Sequence, residues 1–186
     1  EIHVHDIPKK MFLGGLSSIS ASQVLNDSLV SGASVKDALN YLSNNLSKKY
    51  KIIALVHNKE LYKDIKNIEF IEIKDSRDSW IKRVYYEYIY FKKLSKQLKP
   101  YLWLSMHDIT PNVIAKIRAV YCHNPSPFYK MSKLEKKLDF KLRLFNLFYK
   151  YLYKINIKNN NYVIVQQQWL RDEFEKRYSI KNILVA

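Results

Sequence analysis

Besides the run that ends at His57, two strand-like runs in this chain end on histidine. "YLWLSMHD" (101–108) closes on His107 and Asp108, and "AVYCHN" (119–124) closes on Cys122, His123 and Asn124. An imidazole next to a carboxylate can orient a substrate hydroxyl or exchange a proton near neutral pH. Prolines follow both runs, Pro111 after the first and Pro125 and Pro127 after the second. Their fixed φ stiffens the turns that would hold the imidazoles. Asp108 has a second reading, in which its carboxylate bonds loop backbone as turn residues do. Cys122 and His123 are sequence neighbours and point to opposite faces of a strand. They make a poor nucleophile–base pair, and Cys122 reads as core.

A third candidate is "LVSGAS" (29–34), between a mixed strand at 22–30 and a helical pattern. Gly32 would let backbone approach a ligand closely, and the helix start would offer free N–H groups to a phosphate. An ordinary turn has the same composition. The loop is neither a Walker loop nor a GxGxxG fingerprint. His3 and His5 share one face of a short alternating segment, but two histidines without a third ligand do not make a metal site.

The remaining chain supplies the elements that must hold these groups. Val35, Leu39, Leu42 and Leu46 recur at helical spacing, with Ser31 or Ser34 as cap. "YKIIALVHN" (50–58) reads as a buried strand and "IEFIEI" (68–73) as one nearer an edge. Residues 79–99 read as a long helix with a stripe of Trp80, Val84, Tyr88, Phe91, Leu94 and Leu98, ended by Pro100. "YVIVQQQ" (162–168), "WLRDEFEKRYS" (169–179) and "NILVA" (182–186) give strand, helix and strand. Strand and helix alternate, which predicts an α/β fold with a parallel sheet covered on both faces. Right-handed crossovers then bring Ser31–Ser34, His57–Lys59, His107–Pro111, His123–Phe128 and Gln166–Trp169 to one sheet edge. Residues 1–21 read as an N-terminal extension of unclear structure, and both chain ends read as cut.

The net charge of +15 calls for a polyanionic neighbour, although an AT-rich genome also inflates lysine. Residues 130–158 repeat Leu134, Leu138, Leu142, Phe145, Phe148 and Leu152 on one helical face, widened by Leu144, Leu147, Tyr151 and Tyr153. Lysines crowd the rest. Such a helix either lies on an anionic membrane surface or packs as core with a solvated lysine face. One cysteine excludes an internal disulfide and points to the cytosol.

Taken together, "WLSMHDITPN", "AVYCHNPSPFY", "VIVQQQWLRDEF" and the "LVSGAS" loop resemble the N-terminal domain of family-4 glycosyltransferases of the GT-B type, over roughly residues 22–186. The resemblance implies a Rossmann-like domain forming one half of a GT-B fold, the acceptor-binding half of a retaining enzyme. Such an enzyme moves a sugar from a nucleotide sugar to a glycan or lipid-linked acceptor in bacterial surface-polysaccharide or lipopolysaccharide assembly, with no metal or other cofactor. It implies Ser31, Gly32 and Ala33 at the donor diphosphate, and His123, His107 and Asp108 as catalytic groups. Asn124, Gln168 and Trp169 would line the cleft. The family's second loop glycine is Ala33 here, and its donor-binding domain is missing, so this half alone should not turn over. The implied location is cytoplasmic, peripheral at the inner face of the cell membrane. A basic nucleic-acid-binding domain and a non-catalytic interaction module remain the competing readings.

Overall fold

The computed structural model describes residues 9–14, 35–76, 78–128 and 148–186. Their strands form one sheet of seven in the order β3-β2-β1-β4-β5-β6-β7, and every pairing is parallel. The strands are β1 (Lys9–Gly14), β2 (Tyr50–Val56), β3 (Ile68–Glu72), β4 (Leu102–Ser105), β5 (Ile117–Cys122), β6 (Tyr162–Val165) and β7 (Ile183–Val185). The chain is therefore α/β with a Rossmann-like parallel sheet. β1 lies in the middle of it. The sequence reading left residues 1–21 out of the 22–186 domain as an extension of unclear structure, and Lys9–Gly14, a strand of the sheet, corrects that boundary. Two lysines and a glycine in six residues leave too short an apolar run to announce a buried strand. The strand expected at 22–30 lies outside the described residues.

Helices cover both faces because the strands bury side chains on both. In β2, Ile52, Ala54 and Val56 pack with Leu39 of α1 (Val35–Asn45). Ile53 and Leu55 point the other way, against Phe91 and Trp103. Each fully buried aliphatic side chain of this kind is worth about 1.5–3 kcal/mol of transfer free energy. Register pairs Trp103 with Arg118 and Ser105 with Val120, so Val120 shares the side of Trp103. On that side Val120, Cys122, Val163 and Val165 meet Leu170, Phe174 and Tyr178 of α5 (Gln168–Tyr178).

The long helix expected at 79–99 is present but interrupted. Ser79 caps α2 (Trp80–Tyr85) by accepting the Lys82 amide at 3.2 Å. A π-helical turn, Tyr86–Tyr90, then joins it to α3 (Phe91–Leu98). The wider turn shifts the helical phase. Phe91, Leu94 and Leu98 face the core as expected, whereas Trp80 and Val84 turn outward and Glu87 is buried in the middle. Residues 148–154, here α4, are helical and bury Tyr149, Leu152 and Tyr153. Phe148, expected on the core face with Leu152, is exposed, and the earlier part of that helix lies outside the described residues. Among the described residues, no helix is long and apolar enough to cross a membrane.

Candidate functional site

An all-parallel sheet puts every strand's carboxyl end on one edge, and the strand order reverses between β1 and β4. Ligands of open α/β sheets bind in the crevice beyond such a reversal. Gly14 ends β1 there, in register with Ser105 at the end of β4. The loops that carry His57, His107, His123 and Gln166–Trp169 all leave this edge, as the alternation of elements predicted.

His107 and His123 end neighbouring strands, yet they leave the sheet on opposite sides. Trp103, Ser105 and His107 follow the parity of the side that carries α2 and α3. Tyr121 and His123 follow the other, because side chains alternate along a strand. The two imidazoles therefore do not converge. His107 is 1% exposed, and its Nε2 lies 2.6 Å from Oε1 of Glu87, itself buried in the π-helical turn. The chain after β4 is tied to the same turn and to α3. The Asn112 amide donates to the Glu87 carbonyl at 2.9 Å, and the Ile114 amide donates to Ser95 Oγ at 2.9 Å. His107 was expected to act on substrate. It is an internal anchor of the β4–β5 loop instead.

Asp108 is buried in a left-handed conformation, φ 66°, at the apex of that loop. Its amide donates to the Tyr121 carbonyl at 3.0 Å. Its Oδ1 accepts the backbone amides of His123 at 2.7 Å and Asn124 at 3.0 Å, and the Tyr153 hydroxyl at 2.7 Å. The same hydroxyl lies 3.0 Å from the Asn124 carbonyl. Burial, with the Asp108 charge adding to it, pushes the Tyr153 phenol well above its ordinary range, so Tyr153 stays a donor. All three bonds fall on the same oxygen, Oδ1, which fixes the carboxylate to the loop after β5. The backbone-bonding reading of Asp108 describes it, with the backbone being that of the next loop.

His123 alone of the expected catalytic trio keeps an open edge. Its side chain is 23% exposed, and Nδ1 sits 3.5 Å from Asp108 Oδ1, beyond a good hydrogen bond but close enough to feel the charge. Nδ1 is buried, so the exposure belongs to the other edge of the ring. The ring stacks on Tyr121, centroids 5.7 Å apart and planes 25° apart. Tyr121 in turn accepts a hydrogen bond at 2.7 Å from Gln166 at the end of β6. Burial raises the Tyr121 phenol above its ordinary value. Tyr121 and Gln166 were missed as site residues. The signal for Tyr121 was its position two residues before His123, on the same strand face.

Gln168 begins α5 and donates to Asp172 at 3.0 Å, and the half-exposed Trp169 meets Phe128 edge-on. Both stand at the same sheet edge, as expected. Asn124 is there too, its amide and carbonyl engaged by Asp108 and Tyr153. Ser31, Gly32 and Ala33 lie outside the described residues, as do His3 and His5. Cys122 is fully buried, and burial pushes its thiol well above the ordinary range, which makes it core and not a nucleophile. No protein-family model matches the chain, and no curated protein matches it significantly.

Proposed function

We propose that this chain is the acceptor-binding half of a cytoplasmic, retaining glycosyltransferase of the GT-B type, with His123 as its working imidazole. The observation that carries the reading is His123 itself. It is an imidazole at the carboxyl edge of a parallel sheet, with one edge open and Nδ1 turned toward a buried carboxylate. In sugar transfer a nucleoside diphosphate leaves with growing negative charge while the anomeric carbon becomes oxocarbenium-like. An imidazole oriented by a carboxylate can donate to, or stabilise, charge developing beside it.

The fold supports the same reading through the reversal between β1 and β4. Gly14 ends the central strand there and Gly15 follows it in sequence. A glycine at that place lets a diphosphate approach the backbone closely, and we assign a phosphate-approach role to Gly14. The reaction needs a facing donor-binding domain, and this half supplies the acceptor floor and His123.

The test is sugar transfer by the protein joined to its donor-binding half, with a panel of nucleotide sugars and lipid-linked acceptors. Transfer of label with release of the nucleoside diphosphate supports the assignment. No transfer with any donor, together with salt-sensitive binding of nucleic acid, contradicts it.

A further inference from the structure

We propose that the amino-terminal edge of the sheet, opposite the edge that carries His123, holds a second binding site: a cavity between the turns leading into β6 and β7 that takes a small phosphorylated sugar. Two left-handed residues shape it. Asn156, φ 59°, opens the short helical turn Ile157–Asn159 before β6, and Ser179, φ 53°, ends α5 before β7. The residues after each of them, with Val163 of β6, line a cavity of about 230 Å³. That is the volume of about eight waters and lies below the range of drug-sized pockets, so the ligand is small.

The lining selects the ligand. Its floor is apolar, because Ile157 and Val163 are buried and Ile180 packs on the same core. Such a floor receives the C–H face of a ring and offers nothing to a free phosphate. Asn160 spends both side-chain N–H bonds, on Thr110 Oγ1 at 2.7 Å and on the Ile157 carbonyl at 3.1 Å. Only its carbonyl oxygen is left, an acceptor for a hydroxyl. Lys158 and Lys181 stand exposed at the rim, and no carboxylate lines the cavity. Neither lysine has an ion-pair partner among the described residues. Lys116 and Lys99, also exposed, precede the next two strands, β5 and β4, and extend the positive edge. Glu173 and Glu175 of α5 do not cancel it, because Arg177 and Arg171 hold them at 2.8 and 3.0 Å. The carboxyl end of α5 brings about half a negative charge to the same place. One lysine more than offsets that, which leaves the other for an anion. A phosphate dianion suits ammonium point charges.

This site lies away from His123 and does not rest on sugar transfer, so its test needs no turnover. The 186-residue chain is titrated with ribose phosphate, ribose and inorganic phosphate, and followed by NMR. The proposal expects ribose phosphate to move the backbone amide resonances of Lys158, Asn160, Lys181 and Asn182. It should bind about ten-fold tighter than either ribose or inorganic phosphate, because each of those keeps only one part of the recognition. Lys158→Gln and Lys181→Gln, both at exposed positions, should each weaken it about ten-fold with the melting temperature unchanged. Absence of saturable binding at millimolar ribose phosphate overturns the proposal, as does binding that survives loss of both lysines. Inorganic phosphate binding as tightly as ribose phosphate removes the sugar and overturns it too. Resonance shifts confined to the His123 edge would assign the ligand to the other site, and the proposal fails.

Discussion

The Asp108 carboxylate accepts the backbone amide of His123 at 2.7 Å, so the loop after β4 holds the imidazole at the end of β5. One buried oxygen sets the direction in which the neighbouring strand leaves the sheet. Asp108→Asn keeps the size but weakens each of the three bonds and removes the charge facing Nδ1. We expect it to move the backbone amide resonances of His123 and Asn124, read by NMR, with the far-ultraviolet circular dichroism preserved. Unmoved amide resonances at both residues would remove Asp108 from the site.

Tyr153 supports that oxygen from the other side of the loop. Tyr153→Phe keeps the ring among Phe128, Tyr149 and Phe174 and loses only the hydroxyl. Leaving a buried carboxylate short of one donor costs about 1–3 kcal/mol. Phe174→Ala, by contrast, empties the middle of the aromatic cluster, where Phe174 is fully buried, and should cost about 3–5 kcal/mol. Urea denaturation of both variants checks the order: Phe174→Ala well below Tyr153→Phe. The reverse order would contradict the packing described here.

Much of this was legible in the sequence. Apolar runs marked β2, β4, β5, β6 and β7, and their alternation with helical spacing pointed to a parallel sheet with the strands' carboxyl ends along one edge. β3 was read as lying near an edge and is an edge strand. What was not legible depended on phase. The π-helical turn at Tyr86–Tyr90 adds width that no 3.6-residue periodicity anticipates, so Trp80 was read as part of the apolar stripe and nothing marked Glu87 as buried. The fates of His107 and His123 depended on register between β4 and β5. A one-residue difference in where two strands start sends the end residues to opposite faces. Both histidines looked alike in sequence, and only one faces outward.

Glu87 deserves a mutation of its own because nothing in its sequence context marked it. It is 4% exposed and its partner His107 is 1% exposed, so removing one leaves the other buried alone. Glu87→Ala should lower stability by about 1–3 kcal/mol, the cost of a buried polar partner left unpaired, while His107→Gln together with Glu87→Gln, which keeps a hydrogen bond between the two positions, should recover most of the loss. Thermal denaturation of single and double variants reads this directly. Additive losses would show that the two side chains do not act as a pair.

Alkaline pH should unfold the protein through its buried phenols. Burial holds Tyr88 and Tyr178 up at about 12, and it raises Tyr149 and Tyr153 in the same direction. Unfolded tyrosine ionises near 10. The folded state thus binds more protons than the unfolded one between those values, and stability falls as pH rises through them. Below about pH 10 the contribution is complete. Tyrosinate absorbance and circular dichroism followed together should show late ionisation coinciding with loss of structure. Full titration near pH 10 with the fold intact would contradict the burial.

The most direct test of the account is the turnover of His123→Ala in the protein joined to its donor-binding half, measured beside Tyr121→Phe as a control that keeps the supporting ring. A positioned general acid or base is worth about 10²–10⁴-fold. The account predicts a fall of that order in kcat for His123→Ala with the fold retained, and a far smaller change for Tyr121→Phe. A His123→Ala protein that folds and transfers sugar at the unaltered rate would contradict it.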